Sequence, residues 1–169
     1  MKTQEVFVVD ASSWICLHEE YYCPEIFPAL WTRLHALAAM GRIRVPTKAI
    51  AEIGEKEGVG AWLRTIKPSV VPKLTPAIAE AVKVVNVDFP ELVKDYSGRD
   101  ADPWLVAYGM KCGWVVVTEE RLSPGKPKVP NACAKYAVQC IGATEMLRRL
   151  GIKWEDETER SSGSIRLQR

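Results

Sequence analysis

The chain is poor in histidine and has no clustered thiols, and both shortages narrow its chemistry. Only His18 and His35 are present, and the five cysteines, Cys16, Cys23, Cys112, Cys133 and Cys140, form no C-x-x-C pair. A structural zinc site needs soft ligands at clustered spacing, so none is expected; reduced, mostly buried thiols are expected instead. Phosphate-cradling glycine loops are also missing. There is no G-x-x-x-x-G-K-[ST] and no G-x-G-x-x-G, and Gly54, Gly58 and Gly60 make neither pattern. Charge of one sign is lacking too. Lys and Arg total 23 against 21 Asp and Glu, a net +2, so no global field draws the protein to nucleic acid and any RNA contact must use a local basic patch. The apolar stretch near the N-terminus, Val6 to Val9, is too short for a signal-peptide core or a membrane span. The protein is therefore expected in the cytoplasm, away from membranes.

The rest reads as one α/β domain. Apolar residues make up 47% and charged residues 26%, which suits a soluble globular core. Glu5 to Val9 is an almost unbroken apolar strand, as at the centre of a parallel sheet covered on both faces. Pro24 to Met40 is an amphipathic helix stopped by Gly41. Arg42 to Val45 is a second strand, and Thr47 is expected to cap a helix from Lys48 to about Lys56. Gly58 to Val87 reads as helical pieces broken at Pro68, Pro72 and Pro76. Asp102 is expected to cap a helix through about Cys112, with Pro103 at its first position and Gly113 at its end. Trp114 to Thr118 is the third strand, Ser123 to Pro130 a loop, Ala137 to Ile141 a last strand and Thr144 to Leu150 a closing helix. This alternation predicts a three-layer α/β/α sandwich with a mostly parallel sheet over residues 1–154 and a flexible polar tail over 155–169.

Sites on open parallel sheets form beyond the carboxyl ends of the strands. Asp10 falls there after the first strand, and Glu119-Glu120 after the third. Glu52 and Asp102 lie near the starts of helices that face the same crevice. Each acid also has a plain explanation: a turn for Asp10, a cap for Asp102, a solvated face for Glu52, a polar strand exit for Glu119 and Glu120. Gathered together they would repel one another unless a cation neutralised them, and hard oxygen ligands without His or Cys point to Mg²⁺ or Mn²⁺. Such a site is a candidate for phosphodiester hydrolysis.

These segments together resemble the PIN-domain family. Val8-Val9-Asp10-Ala11-Ser12 looks like its opening motif. Val45-Pro46-Thr47 through Ile50-Ala51-Glu52-Ile53 looks like its second, with a Glu one turn into a helix. Asp102-Pro103-Trp104-Leu105-Val106-Ala107 resembles the third, and Val115-Val116-Val117-Thr118-Glu119-Glu120 the fourth. Lys128-Val129-Pro130-Asn131-Ala132-Cys133 looks like one PIN-like branch. The resemblance implies a metal-dependent ribonuclease acting on single-stranded RNA, in some members the toxin of a toxin–antitoxin pair. By match, Asp10, Glu52, Asp102 and Glu120 would bind Mg²⁺ or Mn²⁺ and converge, with Ser12 and Thr118 supporting them. The expected partners are an RNA substrate, with an antitoxin protein and a homodimer as further partners, and no membrane.

One departure bears on catalysis. The fourth motif usually ends in Asp, whereas Glu119-Glu120 stand here; Glu120 is assigned by match, Glu119 is the alternative, and Asp100 could compensate. Arg99, Lys111, Arg121, Lys126 and Lys128 are candidate RNA contacts, against a reading as ordinary surface. Trp104 and Trp114 read as core. Asp10→Asn is expected to abolish turnover and to raise stability slightly by relieving repulsion. The alternative function is a non-catalytic PIN-like module that binds RNA or protein. A phosphotransfer hydrolase with Asp10 as nucleophile is disfavoured, because such enzymes usually carry a second Asp where Ser12 stands.

Overall fold

A computed structural model describes residues 4–54, 58–93 and 100–153. Four strands form one parallel sheet: β1 (Phe7–Val9), β2 (Ile43–Arg44), β3 (Val115–Val117) and β4 (Cys140–Ile141), in the order β2-β1-β3-β4. β1 is central because every residue in it is apolar and fully buried. Its side chains alternate between two cores, Phe7 and Val9 on one face and Val8 on the other.

Helices cover both faces, giving three layers. The first face holds α1 (Ala11–Ile15), α2 (Pro28–Ala39), α3 (Thr47–Ile53), α4 (Gly58–Val70) and α8 (Ala143–Arg149); the second holds α5 (Pro76–Asp88), α6 (Asp102–Cys112) and α7 (Val129–Lys135). A π-helical turn, Cys16–Tyr21, continues α1, and a 3₁₀ turn spans Pro90–Leu92. No described helix is long and apolar enough to cross a membrane.

Several boundaries differ from expectation for identifiable reasons. α2 begins at Pro28, not Pro24, since Phe27 precedes a proline and is held out of the helical region at φ −121°. Pro68 does not break α4. It lies in the last turn, and the buried series Val59, Leu63, Ile66, Val70 carries the helix past it. Pro72 does separate α4 from α5, and α5 starts at Pro76, where Thr75 Oγ1 accepts from Ile78 N at 3.3 Å. The expected caps shift by one residue. Pro46 precedes α3 without a side-chain bond, so Thr47 is helical. Ala101 caps α6, because its carbonyl already accepts from Trp104 and Leu105. Gly113 closes α6 at φ +67°, which suits its lack of a Cβ.

Two helices were not expected. α1 follows Asp10 directly, and α7 starts at Val129, inside the segment expected as loop. β4 is shorter than expected because Ala137, at φ +53°, ends α7 in a left-handed residue and Val138 N closes back on Cys133 O at 2.9 Å. All five cysteines are free thiols, but only Cys133 is fully buried and Cys112 is exposed. The expected tail lies outside the described residues.

Candidate functional site at the carboxyl end of the sheet

Asp10 leaves β1 at its carboxyl end and caps α1. Its backbone N–H continues the sheet, donating to Val117 O at 2.9 Å. Its carboxylate takes three donors: Ala11 N to Oδ1 at 2.7 Å, Ser12 Oγ to Oδ2 at 2.6 Å and Thr118 Oγ1 to Oδ2 at 3.0 Å. Ser12 and Thr118, the two residues expected to support the acid, thus converge on the same oxygen, their hydroxyls 3.5 Å apart. Each hydroxyl also accepts a backbone N–H, from Glu119 at 3.4 Å and Glu120 at 3.2 Å respectively. The β3 exit is therefore tied to the β1 exit through Asp10.

Glu52 lies in the second turn of α3 and reaches another element. Its Oε1 accepts from Ala101 N at 2.9 Å, between Asp100 and Asp102. α6 leads through Gly113 directly into β3, so in a parallel sheet its first turn lies at the end where β1 and β3 finish. Asp100 and Asp102 are 9% and 4% exposed, Asp10 and Thr118 5% and 3%, so three aspartates and a threonine are buried at this end. Burying carboxylates is costly without compensation, and such concentrations mark candidate sites.

Both glutamates after β3 spend a carboxylate oxygen on a backbone N–H at the start of a helix. Glu119 Oε1 accepts from Ala143 N at 2.8 Å, at the start of α8, and from Ser13 Oγ at 3.3 Å. Glu120 Oε2 accepts from Val129 N at 3.1 Å, at the start of α7, and its Oε1 lies 3.9 Å from Lys128 Nζ. The two neighbours, at the bend that follows β3, each secure a different helix. Among the described residues, no three His, Cys, Asp or Glu side chains are grouped as a metal-binding set. Asp10, Glu52, Asp102 and Glu120 share one end of the sheet without forming such a closed set.

Of the basic candidates, Arg121, Lys126 and Lys128 are exposed in the segment after β3. Lys111 is in the last turn of α6, about 14 Å along the axis from Asp102, at the opposite end of the sheet. Arg99 lies outside the described residues. Trp104 and Trp114 are half-buried against the second core, and Trp114 stacks on Tyr108 at 5.4 Å.

Sequence reasoning missed Ser13 and Asn131. Ser13 is fully buried and anchors Glu119. Asn131 organises the loop before α7, and its only signal was the Lys-Val-Pro-Asn segment. Away from the site, Cys133 and Cys140 hydrogen-bond to each other across α7 and β4. That bond and burial push the Cys133 thiol up, while the same bond lowers Cys140.

The fold is similar to that of a crystal structure of PAE2754 from Pyrobaculum aerophilum, with a TM-score of 0.54 and 17% identity over 89% of this chain and 92% of that one. No curated protein matches the sequence. A family model, DUF4411, a domain of unknown function, matches residues 7–154, and the chain belongs to that family.

Proposed function

We propose that this protein is a metal-dependent endoribonuclease that hydrolyses phosphodiester bonds in single-stranded RNA. The observation that carries the reading is Asp10, a buried carboxylate at the carboxyl end of the central strand, held by three donors and sharing that end with buried Asp100 and Asp102. Capping α1 would need only one short polar side chain. A cap for α1 accounts for Asp10 alone and not for the two further aspartates buried at the same end.

The donor chemistry fits a hard divalent ion. All candidates offer oxygen, and Mg²⁺ characteristically uses one or two carboxylates, retained waters and substrate phosphate in place of a full protein cage. That preference accommodates a site without three grouped ligands. Asp10 and Asp102 would hold the ion, with Asp100 and Glu52 beside Asp102. When bound, the ion would supply an activated water and stabilise charge on the phosphoryl group. The chain's own part is orientation. Ser12 and Thr118 fix Asp10 Oδ2, and Glu52 fixes the first turn of α6 through Ala101. A role as the toxin of a toxin–antitoxin pair is the narrower form of this proposal.

A second reading has its own support. Glu119 and Glu120 both spend their carboxylates on backbone N–H groups of α8 and α7, which suits a non-catalytic module that binds RNA. A crystal soaked in Mn²⁺ and measured at the manganese edge separates the two. The nuclease reading expects an anomalous peak on Asp10 and Asp102. No peak at saturating Mn²⁺ with an RNA strand bound would favour the binding module.

A further inference from the structure

The loop between β3 and α7 is closed by a single side chain. Asn131 Oδ1 accepts from Ser123 N at 3.2 Å and Lys128 N at 3.0 Å, and its Nδ2 donates to Ser123 O at 3.0 Å. One carboxamide thus holds both ends of Ser123–Lys128 and satisfies both backbone groups of Ser123. Inside the loop, Lys126 N donates to Ser123 Oγ at 3.3 Å. Pro124 and Pro127 restrict the backbone further. The carboxyl side is fixed to the candidate site: Glu120 binds Val129 N, and Glu120 N donates to Thr118 Oγ1, which binds Asp10. The exposed lysines of this strap, Lys126 and Lys128, stand on a frame continuous with Asp10.

A phosphate backbone approaching an acidic crevice is repelled. Fixed positive charge at the rim offsets that repulsion, and charge fixed in advance loses less entropy on binding than mobile side chains do. We propose that Asn131, with Glu120, is a positioning residue that holds Ser123–Lys128 as a strap delivering Lys126 and Lys128 to the phosphates of a bound RNA strand. This rests on the proposal that RNA is the substrate at the carboxyl end. It adds a specific grip and a residue outside the four acidic positions.

The test is binding of a short fluorescent single-stranded RNA of mixed sequence, in EDTA, across a salt series. Each lost contact to a single strand lowers the salt slope by about 0.7. Lys126→Ala/Lys128→Ala, at exposed positions, should therefore lower the slope by about 1.4 and weaken binding roughly tenfold at 150 mM salt. Asn131→Ala should produce much of the same loss, and should add nothing to the slope in the double-lysine background, because it acts through those lysines. In cleavage assays with Mn²⁺, Asn131→Ala should raise KM and leave kcat nearly unchanged. A slope unchanged by the lysine pair overturns the inference even if Asn131→Ala does not fold. A loss from Asn131→Ala that simply adds to the lysine loss also overturns it. Wild-type binding that depends on the strap, without cleavage in Mn²⁺, would support the strap and refute hydrolysis. No binding to the wild type in EDTA would refute the strap, and cleavage in Mn²⁺ then decides hydrolysis separately.

Discussion

Replacing Asp10 by asparagine exchanges a charged acceptor for a neutral amide in a place where three donors are already aimed. Ala11 N keeps its bond to Oδ1, but Nδ2 in place of Oδ2 is a donor facing Ser12 Oγ and Thr118 Oγ1. Both hydroxyls would have to rotate and accept, while still accepting from Glu119 N and Glu120 N. A hydrogen bond to a charged group contributes about 1.5–3 kcal/mol and a neutral one about 0.5–1.5 kcal/mol, so converting two bonds costs about 2 kcal/mol. This reverses the expectation from sequence, in which relief of carboxylate repulsion made Asp10→Asn slightly stabilising. At this chain length the loss corresponds to a Tm lower by about 4–8 °C. Urea and thermal melts in EDTA measure it without interference from metal. A variant as stable as wild type, or more so, would mean that repulsion among the buried aspartates outweighs the hydrogen-bond network, and the reasoning would fail.

Other outcomes follow from individual contacts. Glu119→Ala strands Ala143 N and the buried Ser13 hydroxyl and should cost about 2 kcal/mol, whereas Glu119→Gln keeps an acceptor and should cost under half of that in the same urea melts. Gly109→Ala would drive a Cβ into the Val138 side chain and to 3.2 Å from Val116 Cγ2, so Val138 or α6 must shift; about 1–3 kcal/mol of destabilisation is expected, and a neutral result would show that this contact is looser than its packing implies. The pair at the ends of α5 and α7 should shape the pH dependence. Burial and the 2.6 Å bond to Asp88 push Tyr136 up to about 12, so its contribution is complete below about pH 10 and lost as pH rises through about 12. Tyr136→Phe should flatten that alkaline limb. Lys135 and Tyr136 hold Asp88 below the usual carboxylate range, so its contribution is present at neutral pH and disappears as pH falls through the folded value; Asp88→Asn should flatten the acid limb.

What the sequence disclosed follows from how local each signal is. β1 and β3 were legible because unbroken apolar runs have one good use, the centre of a doubly covered sheet. α6 was legible from Asp102-Pro103 at one end and Gly113 at the other. α1 was hidden because five residues carry too little periodicity, and Asp10 could equally be read as a turn. α7 was hidden because Val129-Pro130 looked like the end of a loop, although proline in a first turn also opens a helix. The pairing of Asp10 with Ser12 and Thr118 was anticipated from the PIN resemblance. The work of Glu119 and Glu120 was not, because their partners are backbone N–H groups on two other helices, 24 and 9 residues away. Such contacts carry no side-chain signature. The same holds for Glu52, whose partner is the amide of Ala101.

The central claim is tested most directly by incubating purified wild type and Asp10→Asn with single-stranded RNA in Mg²⁺ or Mn²⁺, and again in EDTA, with folding of the variant confirmed by circular dichroism. The account predicts cleavage by wild type only with metal, and its loss in the folded variant. Cleavage that persists in EDTA, or that continues at the wild-type rate in Asp10→Asn, would contradict it.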